Sequence, residues 1–155
     1  MSNEIDPNLR MAIFKGKQIR KVIHNDEWYF SITDIIDALT ASANSRRYWS
    51  DLKRKLIENE GFAQLYEKIV QLKLESSDGK KYDTDTANVE TLFRVIQSIP
   101  SPKAEPFKRW LAKVGFERVQ EIEDPELATK RTRAFYQAKG YSDAWIEKRM
   151  RGIAI

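Results

Sequence analysis

Over the first thirty residues the apolar positions come in short runs broken by turn formers. Met11-Ala-Ile-Phe14 is a brief apolar run, and Lys15-Gly16-Lys17 reads as a turn because glycine takes positive φ at little cost. A weak alternation over residues 19–23 predicts a second strand, Asn25-Asp26 another turn, and Trp28-Tyr29-Phe30 an aromatic strand. At Ser31 the period changes. Ile32, Ile35, Ile36 and Leu39 line one face of a helix that Ser31 can cap and Asp34 favours at its positive end. A polar link, Ala41 to Ser45, leads to a second helix from Arg46 to Asn59, ended by Gly61.

Beyond it the pattern returns to a period of two. Tyr66 to Leu74 reads as a strand, and Ser77-Asp78-Gly79-Lys80 as a hairpin turn with the return strand starting at Lys81-Tyr82. The Asp83-Thr84-Asp85 stretch has the composition of a loop. From Asn88 the chain reads as helical: Val89, Leu92, Phe93, Ile96 and Ile99 form one stripe, and Phe107, Trp110, Leu111 and Val114 another after the Pro100-Ser101-Pro102 stop. Asp124-Pro125 opens a further helix to Lys139, and Ser142-Asp143 opens the last, to Gly152. The expected fold is α+β, with a small antiparallel sheet from residues 10–30 and 66–83 and helices over 31–40, 46–59, 88–99 and 102–122. A domain over 1–122 is expected to be followed by a helical extension over 123–155, the opening of a further region. On its last helix Trp145, Ile146 and Met150 are expected to remain partly uncovered and to seek a partner, a second copy included.

Composition narrows the chemistry more than the fold. The 155 residues contain no cysteine, which removes disulfides, thiolate zinc sites, iron–sulfur clusters and a cysteine nucleophile. The single histidine, His24, rules out a two-histidine metal or catalytic site within one chain. No run approaches 18 apolar residues and the first ten have no apolar stretch, so neither a membrane span nor a signal peptide is read; a cytoplasmic location is expected. The formal net charge is +4, and it is uneven. Residues 1–100 balance to zero, so the whole excess lies in 101–155. Within the first part, cations cluster at Arg10 to Lys21 and at Arg46 to Lys55.

That clustering gives the candidate binding residues. On the second helix Arg46, Arg47, Ser50, Lys53 and Arg54 share an arc of about 120° at about 100° per residue, opposite Trp49, Leu52 and Leu56. A second helix, braced by the one before it and offering cations outward, follows the logic of helix-turn-helix DNA binding. The same face on an ordinary surface helix is merely solvated. Lys15, Lys17 and Arg20 on the basic first hairpin are a second candidate, with edge-strand protection as the plain alternative. Lys130, Arg131, Arg133, Lys148, Arg149 and Arg151 are a third, tempered by Glu126 and Glu147. Asp83 and Asp85 could form a carboxylate pair for a hard cation, but loop composition explains them as well, and no metal or cofactor is expected. With no nucleophile system and no phosphate-cradling glycine loop, no enzyme is expected.

Two segments carry a resemblance. Trp28-Tyr-Phe-Ser-Ile-Thr-Asp34-Ile-Ile-Asp-Ala-Leu39 resembles the aromatic strand and Asp-led helix that open the N-terminal domain of the BRO family. Leu92-Phe-Arg-Val-Ile-Gln-Ser98-Ile-Pro-Ser-Pro-Lys-Ala104-Glu-Pro-Phe107-Lys-Arg-Trp110-Leu111 is similar to that domain's second signature, a helix, a Ser-x-x-x-Ala segment and Phe-x-x-Trp. The basic helix with Arg47 and Leu52 lies where the family keeps its Arg-and-Leu helix, and the likeness covers about residues 13–120. Thr84 to Leu92 departs from the family's Asn-Glu-x-Gly-Leu-Tyr stretch, and residues 125–155 lie beyond the usual domain. The resemblance implies a small α+β domain of prophage antirepressor type that binds DNA in a regulatory role. The alternative is a protein-interaction module that grips a repressor or self-associates as a homodimer without touching DNA.

Overall fold

The structure is a computed structural model describing residues 19–154, with side chains through 152. Four strands form one antiparallel sheet in the order β1-β2-β4-β3: β1 Lys21–His24, β2 Glu27–Ser31, β3 Val70–Glu75 and β4 Lys81–Asn88. The described helices are α1 Ile32–Leu39, α2 Ser45–Glu58, α3 Leu65–Lys68, α4 Val89–Gln97, α5 Glu105–Glu123, α6 Glu126–Ala138 and α7 Asp143–Ala154, with a 3₁₀ turn at Pro102–Ala104. The architecture is α+β, as the periodicities predict. The Met11–Phe14 run and the Lys15-Gly16-Lys17 turn lie outside the described residues.

The chain divides after Trp110 into two compact units. In the first, Asn25 and Asp26 both take positive φ (51° and 63°), the tight reversal that pairs Ile23 with Trp28 and His24 with Glu27. β2 runs directly into α1, where the Ser31 side chain accepts a hydrogen bond from the Asp34 backbone N–H. α1 buries Ile32, Ile35, Ile36 and Leu39 against the sheet, α2 and the 3₁₀ turn. α4 packs on β2 and β4, burying Leu92, Val95 and Ile96. Phe93, Phe107 and Trp110 meet edge-on or tilted, with ring centroids 5.3 to 6.1 Å apart.

Two readings of the sequence need correction here. The strand expected from Tyr66 begins only at Val70, because Leu65 to Lys68 make one helical turn that buries Leu65. The stretch read as loop, Asp83-Thr84-Asp85, lies within β4, which pairs β2 on one side (Phe30 with Ala87) and β3 on the other (Lys73 with Asp83). Its polar residues have partners: the buried Thr86 hydroxyl donates to the Val70 carbonyl at 2.6 Å, and Asp83 pairs with Lys73 at 3.4 Å.

In the second unit α5 buries a carboxylate. Glu121 is only 7% exposed and accepts hydrogen bonds from both Nε and Nη2 of Arg131 on α6, with Arg118 3.5 Å away. These arginines hold the Glu121 carboxyl below its ordinary pKa, the Arg131 bonds being the main cause. Tyr141 stacks on Trp145 at 4.1 Å, and Tyr136 meets both edge-on. Contrary to expectation, Ile146 and Met150 are buried; of the three residues expected to remain open, only Trp145 is exposed.

Candidate nucleic-acid interface

The basic helix α2 is fixed at its start by a ladder of short polar side chains. The Thr40 hydroxyl donates to the Ile36 carbonyl at 2.7 Å, the Ser42 N–H to the Thr40 hydroxyl, and the Asn44 N–H to the Ser42 hydroxyl. Asn44 then caps α2 by accepting from the Arg47 N–H, and the Ser45 hydroxyl donates back to Asp37 on α1. Such side chains satisfy backbone groups locally, which is why this link is polar and short. It sets where α2 enters and which way its faces point.

One face of α2 buries Trp49, Leu52 and Leu56. The opposite face exposes Arg46, Arg47, Ser50, Asp51, Arg54 and Lys55. Arg54 sits 3.4 Å from Asp51, both well exposed, a pairing worth little in water. Arg46 and Arg47 occupy the first turn, which holds no acidic residue. A helix N-terminus carries partial positive charge, so cations there are locally unfavourable and anions are attracted. Lys55, outside the sequence-derived set, joins the exposed cations; its place in the Arg46 to Lys55 cluster was the only signal for it.

Lys53 is placed differently. It is half-buried, 3.4 Å from Asp85 on β4 and over the Trp49 ring at 5.6 Å. The same carboxylate accepts from the Trp49 indole N–H at 2.8 Å and from the Gln71 amide at 3.2 Å. Burial pushes the Asp85 pKa up, but the bonds from Trp49 and Gln71 and the charge of Lys53 together outweigh it and hold the carboxyl below its ordinary range. This group docks α2 on the sheet, so Lys53 serves as a fastening rather than an open cation.

Arg20 is likewise committed within the fold. Its guanidinium grips Asp34 with two bonds of 2.8 and 2.9 Å, its backbone N–H adds a third at 2.9 Å, and Nη1 reaches the Glu75 carbonyl at 3.2 Å. The Asp34 bonds push its pKa above the ordinary arginine value, against burial. Lys15 and Lys17 lie outside the described residues. In the C-terminal set, Arg131 is bound to Glu121 and Arg133 to Glu147, while Lys130, Lys148, Arg149 and Arg151 are exposed. His24 packs edge-on against Tyr29 at 5.2 Å. Among the described residues no group of three or more histidine or acidic side chains could hold a metal ion, and no helix is long and apolar enough to cross a membrane.

Set beside known proteins, the chain matches the BRO family, N-terminal domain, over residues 18–119, a span containing the whole sheet, α2 and most of α5. No curated protein and no solved structure matches it.

Proposed function

The chain belongs to the BRO family, and from that premise we propose that it is a non-enzymatic, DNA-binding regulatory protein of prophage antirepressor type, acting in the cytoplasm and meeting duplex DNA with α2. One observation carries the reading: Arg46 and Arg47 stand exposed in the first turn of α2, where helix electrostatics opposes them unless an anion is present. Arg47, Ser50 and Arg54 continue that face, and Lys55 extends it. Phosphate neutralisation with counterion release supplies the affinity, and arginine can in addition read guanine edges. Lys53 acts indirectly by holding the helix through Asp85, and Arg20 by holding the α1 N-terminus through Asp34.

The test is a titration of a mixed-sequence duplex at several salt concentrations, for the wild type and for Arg46→Ala with Arg47→Ala. Each phosphate contact contributes about 0.9 to the slope of log K against log salt, so the double variant is expected to flatten it by nearly two units. Its melting temperature should barely move, because the removed charges are exposed. Equal slopes with binding intact would take α2 out of the interface and shift attention to Lys15 and Lys17.

A further inference from the structure

The second unit carries its apolar residues on the wrong side of one helix. On α5 the covered side buries Glu121, with Glu117 half-covered beside it, whereas Phe116 (62% exposed), Val119 (54%) and Ile122 (69%) face outward. With Ala112 and Gly115, both exposed, they form a seam at 112, 115, 119 and 122, the three-four-three spacing by which one helix packs along another. Among the described residues, apart from its own chain neighbours and helix backbone, nothing lies within 4 Å of where a Cβ on Gly115 would be, so the backbone there is open to close approach. A helix that covers Glu121 and leaves its large apolar side chains open is built for a partner on its outer face.

We propose that this partner is a second copy of the chain, with the two α5 helices packed antiparallel about a two-fold axis. Charge along the helix makes the choice. On the open flank Arg109, neighboured by Glu105 on its own helix at 3.3 Å, lies near the start of α5, and Glu123 lies at its end. Antiparallel packing of the 112–122 seam sets 112 against 122 and 115 against 119. On one flank it brings Phe116 against the partner's Phe116 and Arg109 against the partner's Glu123, twice by symmetry. A parallel pair would set like charges side by side. On the other flank the two Arg118 side chains approach, each already neighboured by its own buried Glu121 at 3.5 Å. The seam spans about 15 Å, at 1.5 Å per residue, so the interface is small and the association weak and reversible. This proposal stands on α5 and does not depend on DNA binding; a dimer would present the Arg46, Arg47 and Arg54 face twice.

Sedimentation of the full chain from about 1 to about 500 µM tests it, since small interfaces form in the micromolar range. The wild type is expected to pass reversibly from monomer to dimer. Val119→Glu, and Val119→Ser as a milder change, should remain monomeric with an unchanged melting temperature. Arg109→Glu should weaken the dimer about tenfold, the equivalent of about 1.4 kcal/mol, and adding Glu123→Arg should restore it. A wild type monomeric throughout overturns the proposal, as does a dimer that survives Val119→Glu. A Val119→Glu monomer with a lowered melting temperature also overturns it, because the stripe would then be covered by the chain itself. Failure of the charge exchange to restore association overturns the antiparallel arrangement.

Discussion

At the scale of single residues, the folded chain separates cations that look alike in the sequence. Arg47 and Lys53 sit six positions apart on one helix, yet Arg47 faces water and Lys53 faces Asp85. The amphipathic pattern identified Trp49, Leu52 and Leu56 as the buried side and Arg46, Arg47 and Arg54 as open. It could not show Lys53 bound to a carboxylate 32 residues away, or Arg20 to Asp34, because helical periodicity contains no information on distant partners. Asp85 yields a pH prediction. Its pKa is lowered on folding, so its contribution to stability is complete above the unfolded carboxyl value, about 3.9, and fades as the pH falls through the folded one. Asp85→Asn should therefore cost about 1.5 to 3 kcal/mol at neutral pH, the range for hydrogen bonds to a charged group. In urea unfolding, the gap between variant and wild type should narrow only below about pH 4. Asp51 offers the converse effect on binding. It is the exposed carboxylate beside Arg54, and Asp51→Asn should tighten DNA by up to about fivefold at low salt, the effect of removing about 1 kcal/mol of like-charge repulsion. Fluorescence anisotropy at low and high salt checks this, with the gain expected to vanish at high salt.

At the scale of elements, helices with strong stripes were legible from the pattern. α1 buries the four residues its spacing names, and α4 does so with a shift that brings Val95 inside and leaves Val89 and Phe93 half-covered. The start of β4 at Lys81-Tyr82 was legible, but its continuation from Asp83 to Asn88 was not, because there it is a strand by position rather than by composition. Lys81 to Thr86 pair with β3 and Thr86 to Asn88 with β2, and the aspartates of β4 find Lys73, Gln71, Trp49 and Lys53 on neighbouring elements. The outward stripe of α5 was missed for the opposite reason: Val114 belongs to the predicted buried stripe, yet it is 39% exposed, and nothing local shows that Glu117 and Glu121 take the inner side. The β1–β2 turn supports an engineering test. Asp26 holds φ at 63°, a region glycine enters freely, so Asp26→Gly should stabilise the hairpin by about 0.5 to 1 kcal/mol, read as a raised melting temperature.

At the scale of the whole molecule, the buried apolar side chains are unequally divided. From Tyr29 to Phe107 they all belong to the first unit; among the described residues the second buries only Ile146 and Met150, with Glu121 and Arg131 as its polar centre. Opening free energy follows buried apolar contact. Amides of residues 111–154 should therefore exchange with deuterium well before those of α1, α4 and β4, and similar protection across the two units would refute that ranking. The strand order has a further consequence, for the birth of the chain. β1 and β2 emerge from the ribosome as an isolated hairpin, which is marginal alone. The strand that completes them, β4, aligns Ala87 with Phe30 and follows it by about 57 residues, a delay of about 3 to 11 s at about 5 to 20 residues per second. Throughout that interval Phe30 and the isoleucines of α1 lack their sheet, and they become a natural handhold for chaperones working on the nascent protein.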